Sequence, residues 1–420
     1  MRRFPALVLA VLLVLAVLLA LVALPAHAAS LLDPVFGGDG IVTAYPNGGV
    51  ATAIGIDGQD RIVAVGYTTG KHVDVAVARF EPDGSPDTSF GAHGHRSYDL
   101  GGADYAFDAA VIANGGIVVV GRTSKKHDKM FVLRLRPDGT RQPSFGDHGV
   151  KLIDFGKPLQ SANAVALTSQ GRIVIGGYTS NGIGARSALA RLSPLGMLDK
   201  GFGGDGMVSF DLGSGAEEIN DVRVLPGGSI VACGDAENGQ NPRFSILEVR
   251  SDGKLNTTFG TADDGSSTVD VAPGPDVANA LIIAANGDYL LAGYAGTNAD
   301  PAVLALTPHG IPDQSYGNHA RVVVKLANAF EEAADIVRDG AKAYLVGRIR
   351  GTHDDMGVIR LKAGGALDTS FSGDGILRID VAGSTDAAAD GLLQPNGKLV
   401  IAGQSWRDGV PRFALARILT

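Results

Sequence analysis

The sequence predicts an all-β chain folded as a single seven-bladed β-propeller of four-stranded antiparallel blades. Two series of landmarks predict it. An aromatic followed by Gly or Ser recurs at Phe36, Phe90, Phe145, Phe202, Phe259, Tyr316 and Phe371, in steps of 54 to 57 residues. An apolar strand ending in Gly recurs as often, at Gly66, Gly121, Gly177, Gly234, Gly293, Gly347 and Gly403. Self-similarity at a fixed period outweighs the two or three domains that 420 residues would otherwise suggest.

One unit shows the pattern. Val50 to Ile56 reads as a short apolar strand, and Asp57-Gly58 as a turn. Arg61 to Tyr67 reads as a Val-rich buried strand. After a polar loop, Val73 to Phe80 alternates as a third strand. Pro82-Asp83-Gly84 is a turn, and the stretch from Phe90 to Tyr98 is expected to form a fourth, glycine-interrupted strand. Four short antiparallel strands repeated seven times fit a propeller. A parallel β-helix is the runner-up, and the hairpin turns inside each unit argue against it.

The units resemble the bacterial delta-60 repeat family. Leu367-Asp368-Thr369-Ser370-Phe371, Ala188-Leu189-Ala190-Arg191-Leu192 and Pro82-Asp83-Gly84 carry the resemblance, and unit five departs most, with Tyr316 for Phe and Ala305 for Arg. The resemblance implies a secreted or surface propeller of repeats of about 56 residues over 29–420. It implies no activity.

The ends of the chain are complementary. It begins with the fourth-strand segment Leu32-Asp33-Pro34-Val35-Phe36 and ends with the third-strand segment 413–420. Residues 32–46 are therefore expected to supply the outer strand of the blade formed by 386–420, leaving no free edge. A charge pattern agrees. Arg79, Arg134, Arg191, Arg360 and Arg417 share a third-strand slot with Glu248 and Ala305. Eight residues on stand Asp87, Gln142, Asp199, Asn256, Asp313 and Asp368, and Asp33 is left for Arg417. Where the Arg becomes Glu248 the Asp becomes Asn256, which avoids facing like charges.

Residues 1–28 read as a signal peptide. Arg2-Arg3 precedes an apolar run from Ala6 to Leu24, then Pro25 and the small-x-small triplet Ala26-His27-Ala28. The apolar run is longer than the ~7–15 residues usual in a signal, so an uncleaved N-terminal membrane anchor is the alternative. After cleavage no span is expected, and the location is periplasmic or extracellular. Loss of two arginines takes the net charge from −8 to −10. With no basic run, nucleic acid is excluded as a partner. The lone Cys233 permits no internal disulfide and occupies a slot for small core residues.

No catalytic motif is present: no Gly-x-Ser-x-Gly, His-Glu-x-x-His or phosphate loop. His93, His148 and His319 share a turn slot with Asp39, Asp205 and Asp374, while His72, His127 and His353 share another; both sets are expected to be polar turn residues rather than metal ligands. The best candidate ligand site is a ring of one short polar residue per first strand: Thr52, Asp108, Asn163, Asp221, Asn279, Asp335 and Asp390, each 12 to 14 residues before the unit's Gly. If the first strand is innermost, the ring surrounds the axis. Its carboxylates could then take Ca²⁺ or a polar ligand, or each side chain could cap backbone groups of the neighbouring blade. The expected function is an exported, monomeric, non-catalytic propeller that binds a protein or glycan or acts as a scaffold. The alternative is a propeller enzyme with an axial site: a lyase, glycoside hydrolase or quinone-dependent dehydrogenase. Mass spectrometry of the exported protein is expected to give a chain starting at Ala29, and recovery of intact Met1 in membranes would favour the anchor.

Overall fold

The computed structural model describes residues 31–45, 47–212, 215–237, 241–326 and 332–420. The expected signal peptide lies outside the described residues, as does Pro46. The described residues form seven four-stranded antiparallel sheets. Within blades one to six, strands are ordered in sequence from the innermost outward. The innermost strands are Gly49–Ile56, Ala103–Val111, Leu159–Leu167, Glu217–Val224, Asp276–Ile283, Glu332–Asp339 and Asp386–Leu393, which begin blades one to seven. No described helix is long and apolar enough to cross a membrane.

The ring closes as the sequence predicts. Ile41–Ala44 pairs antiparallel with Val410–Ile418 as the fourth strand of blade seven, with Ile41 opposite Ala416 and Ala44 opposite Phe413. The Arg417 guanidinium meets Asp33 at 2.7 Å.

The arginine slot repeats elsewhere as a buried three-part unit. Arg79–Asp87, Arg191–Asp199 and Arg360–Asp368 lie 2.6, 2.9 and 2.9 Å apart. Each guanidinium covers the aromatic anchor of its own unit: Arg79 over Phe90, Arg191 over Phe202, Arg360 over Phe371 and Arg417 over Phe36, at 4.7–4.8 Å. Arg191 also donates to the Ser251 carbonyl of the next blade at 2.7 Å, and Arg79 and Arg417 donate likewise to Pro137 and Pro82. The pair is thus an interblade fastening as well as a cross-strand contact.

The aromatic anchors themselves are not in strands. The fourth strand of blade one is only His95–Tyr98, and Phe90 closes a turn, its N–H donating to the Asp87 carbonyl. The glycines around it favour the turn over an extended path. The fully buried ring packs under the Pro-Asp-Gly turn of the following blade. Gly139 has φ +79°, and a Cβ there would stand 2.9 Å from the Phe90 ring.

The other repeated glycine answers to a bulge. Every innermost strand carries one register irregularity, directly after the residue opposite the glycine; in blade one it lies between Ala51 and Ala53. A Cβ at Gly66 would meet the Val50 carbonyl oxygen at 1.9 Å, and the same clash recurs in all seven blades at 1.9–2.0 Å. Only glycine admits the kinked inner strand so close.

The loops between blades are held by a buried polar residue near the start of the following blade's innermost strand. Asp104, Gln160, Glu217, Asp276 and Asp386 accept the N–H of Leu100, Phe155, Leu212, Val271 and Val381 at 2.6–2.7 Å.

Arg417→Ala is expected to lower unfolding free energy by about 3–5 kcal/mol, the scale for stripping one partner from a buried pair. Removing Arg186 from its half-exposed pair with Asp211 should cost less than about 1 kcal/mol. Denaturant titration of both variants checks this, and equal losses would contradict the buried closure.

Candidate functional site

An innermost strand has one edge with no strand to pair with. Its outward N–H and C=O groups face the axis and must find other partners. The seven predicted ring residues supply them, and all seven line one axial cavity of about 440 Å³. Thr52 donates to the Ala106 carbonyl at 3.0 Å, Asn163 to Ile219 at 3.0 Å and Asn279 to Ala333 at 2.9 Å. Asp108 accepts the Val165 N–H at 2.6 Å, Asp221 that of Leu281 at 2.8 Å, Asp335 that of Gly391 at 3.1 Å and Asp390 that of Ile54 at 2.7 Å. Every bond runs from one blade to the next, and the last returns to blade one.

The seven residues do not share a single slot, as the sequence reading had it. Thr52, Asn163 and Asn279 are the extra residues of their bulges. Asp108, Asp221, Asp335 and Asp390 come one position later. The spread of 12 to 14 residues before the glycine therefore reflects two slots and not only turn length. A donor in the first slot reaches the next blade's C=O; an acceptor in the second reaches its N–H. Blade four fills both: Asn220 donates to the Ala278 carbonyl at 3.0 Å beside Asp221. The sequence reading missed Asn220, although the Asn220-Asp221 doublet displays both slots at once.

Crowding carboxylates in this cavity raises their proton affinity. Burial pushes Asp108 up to about 7, with the charge of Asp221 adding and the Val165 N–H opposing. Burial pushes Asp221 up to about 6 against the pull of Arg223. Asp390 lies well above the usual range, through burial and then through Asp335. Arg223 enters the same cavity and donates to Asp221. Among the described residues, no three axial carboxylates bring ligand atoms within 4.8 Å of one another, so the ring offers no convergent Ca²⁺ cage.

His93, His148 and His319 are exposed turn residues with φ of 48–56°. Asp39, Asp205 and Asp374 cap the same turn by accepting the N–H two residues on, at 2.9–3.0 Å. His72, His127 and His353 are exposed in loops of separate blades. Cys233 is buried in the apolar core between blades four and five, where burial pushes its thiol up.

A second group, which reaches the cavity lining through Phe107 in blade two and Asn220 in blade four, was not foreseen. The residue after the repeated glycine is Tyr67, Arg122, Tyr178, Asp235, Tyr294, Arg348 and Gln404 in blades one to seven, each half-buried. Tyr67 meets Tyr105 edge-on at 5.1 Å, Arg122 covers Tyr105 at 4.9 Å, and Tyr105 stacks on Phe107, which lines the cavity. On another blade Asp235 stands directly opposite Glu218 across the strand pair. Burial, then the Glu218 charge, pushes Asp235 up to about 7, opposed by a hydrogen bond from Asn220. The only signal in the sequence was irregularity in a slot whose neighbours repeat.

Comparisons with known proteins agree with the fold. Residues 60–90, 169–202, 225–259 and 394–420 match the model of a β-propeller domain of unknown function, DUF5122. These are several of the repeats, consistent with a propeller-repeat family. No curated protein sequence matches the chain. Among solved structures, a catalytically inactive virginiamycin B lyase from Staphylococcus aureus with quinupristin is similar at 11% identity and a TM-score of 0.50, over 90% of this chain and 98% of that one. The polysaccharide lyase Uly1 is similar at 11% identity and a TM-score of 0.51, over 88% and 89%. At this identity the likeness shows the fold alone.

The raised carboxyls fix a pH response. In the unfolded chain Asp108 ionises near 3.8, and in the folded chain near 7. Between those values the folded state holds more protons, so stability falls as pH rises through the window and levels off above it. Melting temperature is expected to drop from pH 5 to pH 8. Asp108→Asn, which keeps an acceptor for Val165, should flatten the slope; an unchanged slope would contradict the assignment.

Proposed function

We propose that this chain is an exported, non-catalytic β-propeller of the delta-60 type, monomeric, which binds a small polar ligand such as a glycan beside the axis. The observation that supports this most is the contrast between two neighbouring slots. Between them the two axial slots give every blade at least one short polar residue, Thr, Asn or Asp, because each blade must fasten to the next. The slot after the glycine carries Tyr in blades one, three and five but Arg, Asp, Arg and Gln in blades two, four, six and seven, though the fold makes equal demands on every blade. Departure from symmetry beside a cavity is what recognition of an asymmetric ligand requires. Tyrosine faces, guanidinium groups and a carboxylate suit a hydroxyl-rich partner. Export rests on the reading of residues 1–28.

A second reading, a propeller lyase or glycoside hydrolase, is favoured by Asp235, whose proton affinity near neutrality facing Glu218 would suit acid–base work. Calorimetric titration of the protein with a panel of oligosaccharides, alongside assays for product, separates the two. Heat without turnover, weakened by about 1.5–3 kcal/mol in Asp235→Asn, is expected. Multiple-turnover product lost in the same variant would establish the enzyme, and no heat from any glycan would overturn the glycan-binding reading.

A further inference from the structure

We propose that Asp355, Asp380 and Asp386, at the junction between blades six and seven, form a Ca²⁺ site on the side of the ring.

One slot lies where the third strand of a blade starts and the fourth ends. In blades two, three and four a base faces an acid there: Lys129–Asp154 at 3.1 Å, Arg186–Asp211 at 2.8 Å and Arg243–Asp270 at 3.7 Å. Blade five reverses the order, and the charge of Lys325 acts on Asp300. Blade six breaks the rule, as blade one does with Asp74 and Asp99: Asp355 faces Asp380. Into this like-charged pair the next blade sends a third carboxylate, Asp386, which is wholly buried. One ligand oxygen from each of the three lies within 4.8 Å of the others. Two oxygens bound to one Ca²⁺ at about 2.4 Å can be no farther apart than that.

A second, independent feature points to a ligand. Asp386 Oδ2 accepts the Val381 N–H at 2.7 Å, but its Oδ1, though buried, has no hydrogen-bond partner. The hydroxyl of Ser405, its cross-strand neighbour, and the Ala382 N–H also act on the carboxyl, without meeting hydrogen-bond geometry at Oδ1. Buried acceptors are almost always satisfied. A hard cation satisfies this one and cancels the repulsion among the three. Burial and the neighbouring carboxylates already push Asp355 up. Arg378 and His353 oppose that rise, and Arg378 is bonded to the Arg350 carbonyl at 3.0 Å.

Blade one supplies the comparison. Asp74, Asp99 and Asp104 occupy the same three places at the junction with blade two. There, however, both oxygens of the buried member are taken. Asp104 Oδ2 accepts the Leu100 N–H at 2.6 Å, and the Thr123 hydroxyl donates to Oδ1. Of these two clusters among the described residues, the structure therefore assigns a cation to the one between blades six and seven and none to the one between blades one and two.

The test is titration of Ca²⁺ into the chelator-treated protein by calorimetry, with melting temperature as a second readout. One equivalent of Ca²⁺ should bind and raise the melting temperature by several degrees. Asp380→Asn, at an exposed position that leaves the fold intact, should weaken binding by at least about tenfold. Asp99→Asn should leave binding unchanged. No heat and no thermal shift with Ca²⁺, binding that survives Asp380→Asn, or binding lost in Asp99→Asn would each overturn the assignment.

Discussion

The structure depends on what becomes of the innermost edge of each blade. A four-stranded sheet ends in a row of unpaired backbone groups, and seven such rows point at one axis where no further strand can fit. The protein resolves this with side chains. A bulge in every inner strand turns a short polar residue toward the following blade, where it takes the free N–H or C=O. The bond joins consecutive blades, so satisfying the edge and closing the ring are one requirement. Asp390, accepting the Ile54 N–H, carries that chain of bonds across the point where the polypeptide begins and ends.

Three further repeated features follow from the same constraint. The bulge drives a carbonyl against the neighbouring strand, which excludes any side chain at Gly66 and its six counterparts. The outer parts of the blades are fastened separately by Arg–Asp–aromatic units, of which Arg417, Asp33 and Phe36 form the one that spans the termini. Buried acceptors such as Asp276 hold the loops between blades. The axis and the rim are thus bound by different chemistry.

Much of this was legible in the sequence because repetition is itself a structural signal. Seven glycines and seven aromatics at one period gave the blade number, and the unmatched Asp33 gave the closure. The ring residues were found for the same reason, since a short polar residue in an apolar strand stands out. What could not be read was geometry that repetition conceals. A bulge shifts register by one residue, so Asn163 and Asp221 seemed equivalent when they occupy adjacent slots and bond opposite partners. Phe90 looked like strand because it is apolar, whereas its place under the next blade's turn is a tertiary matter. Asp235 and Glu218 escaped notice because a search for repeats passes over positions that refuse to repeat. Those positions are where this ring departs from the demands of its own architecture.

The direct test of the axial account is amide hydrogen exchange at single-residue resolution in the wild type and in Asp390→Ala. The account predicts that the Ile54 amide is protected in the wild type and becomes fast-exchanging in the variant, while Val165 and Leu281, held by Asp108 and Asp221, keep their protection. Unchanged protection of Ile54 would contradict the claim that side chains from the preceding blade, rather than packing alone, close the inner edge.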